Sequence, residues 1–93
     1  MKARITALTV VALSLALSGP LRADGFTNCT KEPQSAWKPT SAAEDLAKKA
    51  GYEVRQTKVR GSCYEVYGVN KQGKLFELFY NPVNLKLMET KAK

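Results

Sequence analysis

Hydrophobic and polar positions divide the chain into stretches of different rhythm. Residues 5–21 run without a charge, and their apolar heart lies at 8–17. Residues 24–39 show no period and are broken up by Gly25, Asn28, Pro33, Gln34, Ser35 and Pro39. A helical period follows, in which Ala43, Leu46, Ala47 and Ala50 share one face while Glu44, Asp45, Lys48 and Lys49 fall elsewhere. Beyond Gly51 the rhythm becomes the alternation of strands, at 52–59, 63–69 and 74–80. Arg60-Gly61-Ser62 and Asn70-Lys71-Gln72-Gly73 separate them as turns.

The ends of these elements carry their own signals. Ser41 followed three residues later by Glu44 reads as a capping box, with the lysines late in the helix as its dipole prefers. Gly51 supplies the left-handed position that ends it. Short turns make consecutive strands antiparallel neighbours. Asn81-Pro82-Val83-Asn84 closes the third strand, and Leu85-Lys86-Leu87-Met88 offers a marginal fourth. The expected fold is therefore α+β: one N-terminal helix packed on a three- to four-stranded antiparallel meander. Strand three, Leu75-Phe76-Glu77-Leu78-Phe79-Tyr80, is bulky and apolar on both faces, and strand two splits Tyr64 and Val66 from Tyr67 and Val69. One short helix covers one face only. Either the irregular arm with Trp37 folds over the other, or Trp37, Tyr64, Tyr67, Phe76, Phe79 and Tyr80 contribute to a partner surface.

The first stretch changes the picture of location. Lys2 and Arg4 precede the apolar run, Gly19-Pro20 breaks it, and Leu21-Arg22-Ala23 follows. That is the three-part pattern of a secretory signal peptide over residues 1–23, cleaved after Ala23. A spanning helix needs roughly 20 apolar residues, so no membrane span is expected after cleavage. The expected location is periplasmic or secreted. Losing Lys2, Arg4 and Arg22 leaves twelve basic against eight acidic side chains, a net charge of +4 instead of +7. Such a mild, interspersed excess gives no basic stripe for nucleic acid. The remaining chain, an arm at 24–39 and a domain at 40–93, is near the size at which a core alone suffices. Its two cysteines permit one intramolecular pairing, Cys29–Cys63, and export makes a disulfide available. Closing that loop is worth roughly 3–4 kcal/mol on a chain-entropy estimate.

Composition also limits the chemistry. There is no histidine, which removes the usual general base and the commonest metal ligand. Two distant cysteines give neither a zinc site nor a Cys-x-x-Cys redox pair. Glu53, Glu65 and Glu77 recur once per strand, and cross-strand pairing with lysine or arginine on a solvated face is the expected use. No cofactor, metal or catalytic residue is expected, and the chain does not read as an enzyme.

The order Ala50-Gly51-Tyr52-Glu53-Val54, Cys63-Tyr64-Glu65-Val66-Tyr67, Asn70-Lys71-Gln72-Gly73-Lys74 and Glu77-Leu78-Phe79-Tyr80-Asn81-Pro82 resembles the PepSY domain family. The likeness spans residues 29–88 and is greatest to small exported, stand-alone members with two similarly placed cysteines. It implies one helix against an antiparallel sheet and a non-catalytic module, since related domains occur in protease propeptides. Where the family usually has Asp-Pro this chain has Asn81-Pro82, and Asn84 stands where a glycine is common. The function expected is binding, with inhibition or modulation of an extracytoplasmic peptidase as output. The protein is expected to be a monomer or weak homodimer. The alternative is an envelope-associated structural protein or a small-ligand or metal-binding accessory protein.

Overall fold

The computed structural model describes residues 27–93; the expected signal peptide lies outside them. Helix α1 (Thr40–Lys49) is followed by strands β1 (Glu53–Arg60), β2 (Cys63–Val69), β3 (Leu75–Tyr80) and β4 (Leu87–Ala92). The strands form one antiparallel sheet in sequence order, β1-β2-β3-β4. The α+β meander expected from the sequence is the fold found, and a Cys29–Cys63 disulfide joins the arm to β2.

The helix ends as expected and begins differently. At its C-terminus the Gly51 amide donates to the Lys48 carbonyl and the Tyr52 amide to the Ala47 carbonyl, with Gly51 at φ 101°. At its N-terminus Pro39 occupies the cap, in extended conformation, and no side chain caps the first turn. Ser41 lies inside the helix and Glu44 a turn further on. The Glu44 carboxylate is used tertiarily instead, accepting a hydrogen bond from the Thr57 hydroxyl of β1. Ala50, counted on the apolar face by period, is exposed because it is the C-cap.

Two further boundaries differ from expectation. Tyr52 precedes β1 instead of starting it. The fourth strand lies at Leu87–Ala92, not 85–88, and pairs with β3 along its length. Its Leu-Met-Glu-Thr-Lys-Ala sequence has little strand propensity of its own, so pairing with β3 decides. Asn81 receives the Leu85 amide on its carbonyl, and Leu85 takes the left-handed conformation at φ 62°. Asn84 beside it does not. Both edge strands carry a register shift, within Val54/Gln56 on β1 and opposite Phe79/Tyr80 on β4. Such irregular, charged edges discourage uncontrolled edge pairing.

Helix α1 lies over the β1–β2 half of the sheet, and the buried core beneath it is built on β2 and β3. Ala43 and Ala47 are fully buried and let the helix approach closely over Tyr64, Val66, Leu78 and Tyr80. Gly68 serves this packing: a Cβ there would come within 2.9 Å of the Tyr52 Cβ. Tyr52 thereby reaches Phe76 edge-to-face, with ring centroids 5.7 Å apart.

Candidate functional site

The arm is fixed by a concentrated set of contacts around the β1–β2 turn. The amides of Cys29 and Thr30 both donate to the Ser62 hydroxyl, at 2.7 and 3.1 Å, and the Ser62 amide donates to the Thr27 carbonyl. Gly61 sits at φ 61°, and a Cβ there would lie 2.1 Å from the Thr27 oxygen, so only glycine admits the arm. From the other side Asn81, buried at the end of β3, donates through Nδ2 to the Cys29 carbonyl and accepts from the amides of Val83 and Asn84. Further along, the Tyr64 hydroxyl donates to the Lys38 carbonyl, and the Lys38 amide donates to the Pro82 carbonyl. Trp37 stands edge-on to Tyr64, centroids 5.6 Å apart, and its indole N–H donates to the Glu32 carbonyl. The disulfide is therefore one strand of a wider seam.

The six aromatic residues expected at a partner surface do not share a face. Cross-strand register puts Tyr64, Phe76 and Tyr80 beneath the helix side, where Trp37 joins them. Tyr67 and Phe79 lie on the opposite side. Tyr64, Phe79 and Tyr80 are buried, whereas Trp37, Tyr67 and Phe76 are half-buried. Trp37 thus closes one end of the helix-side core instead of crossing to the second face. The large apolar side chains left most open are Val59 and Leu87, about half exposed. They sit at either edge of a row running Val59, Tyr64, Tyr80, Leu87.

The second face holds the chemistry that sequence reasoning missed. Glu53 is exposed, as expected, 3.7 Å from Arg55. Glu65 and Glu77 do pair with cations, Arg60 at 3.1 Å and Lys93 at 3.2 Å, but they are buried at 0% and 4% exposure instead of solvated. Tyr67 lies directly opposite Glu77 and two residues from Glu65, so the three side chains project together. As an ionised group Glu65 accepts no hydrogen bond at either oxygen, despite the nearby guanidinium. Burial pushes its carboxyl above the ordinary 4.5; Arg60 opposes this and Glu77 reinforces it. Burial alone would raise Glu77 too, but hydrogen bonds from Lys93, Tyr67 and Glu65 carry it below 4.5. The Tyr67 hydroxyl, shielded from water and set beside the two carboxyls, is pushed up to about 12. Lys58 lies 5.5 Å from the centre of its ring. The signal was present in the alternation, which already places Glu65 and Tyr67 on one face; what the sequence lacked was the register that brings Glu77 beside them.

No group of three or more histidine, cysteine, aspartate or glutamate side chains is arranged to hold a metal among the described residues. No helix among them is long and apolar enough to cross a membrane. A family model described as the peptidase propeptide and YPEB domain matches residues 6–91. No curated protein and no solved structure matches the chain.

Proposed function

This chain belongs to the PepSY family of peptidase propeptide and YPEB domains, and on that premise we propose that it is an exported, non-catalytic module that binds and restrains a peptidase outside the cytoplasm. The family match over nearly the whole chain carries this reading. Propeptide-type modules act by occupying an enzyme surface, which needs a rigid scaffold and an accessible edge, not reactive side chains. The fold supplies both. The arm is stapled to β2 by the disulfide and to β3 by Asn81. The sheet is open, so β1 and β4 each pair on one side only, with Val59 and Leu87 exposed beside those edges. An extended segment of a peptidase adding to one edge would gain main-chain hydrogen bonds and one apolar contact. The disulfide is suited to an oxidising compartment, which supports an extracytoplasmic site of action.

Affinity capture with the immobilised full chain from an envelope extract tests this reading. It predicts recovery of a peptidase, retained when salt is raised, because main-chain and apolar contacts are little screened. Recovery of no peptidase contradicts it. Retention lost on adding salt supports instead the charge-held, envelope-associated alternative.

A further inference from the structure

We propose that Glu65 and Glu77 share a single proton on the sheet face turned away from α1, and that this pair makes the fold a pH-responsive switch, tight while the proton is held and loosened when it leaves to solvent. The geometry is a diagonal one. Glu65 faces Phe79 and Glu77 faces Tyr67 across the β2–β3 ladder, which puts the carboxyls on one face within side-chain reach. Both are shielded, at 0% and 4% exposure. Two carboxylates in one shielded place cannot both ionise without mutual repulsion that water no longer screens.

Their partners decide which one keeps the proton. Glu77 has Lys93 at 3.2 Å and Lys91 opposite it on β4. Glu65 has Arg60 at 3.1 Å, yet neither of its oxygens accepts a hydrogen bond. A buried anion left in that state is costly, whereas a protonated Glu65 has a donor to offer and Glu77 stands ready to accept it. The remaining charged groups on this face do not reverse the assignment. Lys58 is opposite Glu65 but lies against the Tyr67 ring, and Glu89, opposite Phe79, adds a further negative charge. The direction of the two carboxyl shifts, Glu65 up and Glu77 down, agrees.

The sign of the response follows. Glu65, raised in the folded state, contributes stability that is fully present below its unfolded value and is lost as pH rises through its folded one. Glu77, lowered, contributes stability that is present above its unfolded value and is lost as pH falls through its folded one. Together they place the pair's largest contribution near the ordinary glutamate value, with a decline above it as pH rises through the Glu65 midpoint and below it as pH falls through that of Glu77. Deprotonation would act on the β2–β3 ladder two residues from Cys63, where the arm is fastened.

A pH titration of the full chain with its disulfide formed tests this, followed by carbon-13 signals of the glutamate carboxyls and by thermal unfolding. In the wild type Glu65 should titrate above 4.5 and Glu77 below it, and the melting temperature should fall as pH rises through the Glu65 midpoint. In Glu65→Gln, whose amide can donate to Glu77 at every pH, that fall should vanish. In Glu77→Gln the Glu65 midpoint should move down, a change that burial alone would not produce. Titration of Glu65 at or below 4.5 overturns the proposal, as does an unmoved midpoint in Glu77→Gln. If either variant fails to fold, the wild-type titration decides by itself.

Discussion

Asn81 shows how much one amide group can hold. Its Nδ2 donates to the carbonyl of Cys29 while its Oδ1 accepts from two amides of the following turn. Aspartate at this place could accept those two bonds but has nothing to give the Cys29 carbonyl. Asn81→Asp should therefore cost about 1–3 kcal/mol, the range for a buried polar group left without its partner. Urea unfolding at neutral pH measures it, and an unchanged midpoint would remove Asn81 from the account. At this scale the sequence was only partly legible. The departure at Asn81 could be seen, but its partner lies 52 residues away and emerges only from the tertiary fold. Glu65 was misjudged for the same reason. A glutamate in an alternating strand looks solvated until the neighbouring strands set what covers it.

Elements were far more legible than their ends. The switch from helical to alternating period located α1, β2 and β3 closely, because core-facing positions enforce those periods. Capping was misread because Ser41 and Glu44 satisfy a local rule that two other contacts override. Pro39 starts the helix two residues earlier, and Thr57 claims the Glu44 carboxylate. Ser41→Ala should consequently change stability by less than about 0.5 kcal/mol. A true serine N-cap would lose about 1 kcal/mol in the same substitution. Thermal denaturation of the variant separates the two. Strand β4 was expected too early and too short for a related reason: its register comes from β3 and from the left-handed Leu85, neither of which its own residues announce.

For the whole molecule, size is the governing fact. Among the described residues, 27–93, there is one modest core under a ten-residue helix, so the seam that fastens the arm is a large part of what holds the fold. Cys63→Ser should lower stability by roughly 3–4 kcal/mol on the loop-entropy estimate. Denaturant unfolding beside the oxidised wild type reads this directly. Equal midpoints would show that the hydrogen bonds at Ser62 and Asn81 carry the seam alone. The fold class and the cysteine pairing were both within reach of the sequence, since periodicity and the existence of one possible partner constrain them. The partner was not, because the aromatic residues that suggested a surface divide between the two faces of the sheet.

The central claim is that this stapled sheet restrains a peptidase by occupying it. Adding the purified full chain, disulfide intact, to the peptidase activity of an envelope extract and following cleavage of an unstructured protein substrate tests it most directly. The account predicts a saturable slowing of cleavage that weakens when Cys63→Ser loosens the scaffold. Cleavage at an undiminished rate with the chain in excess would contradict it.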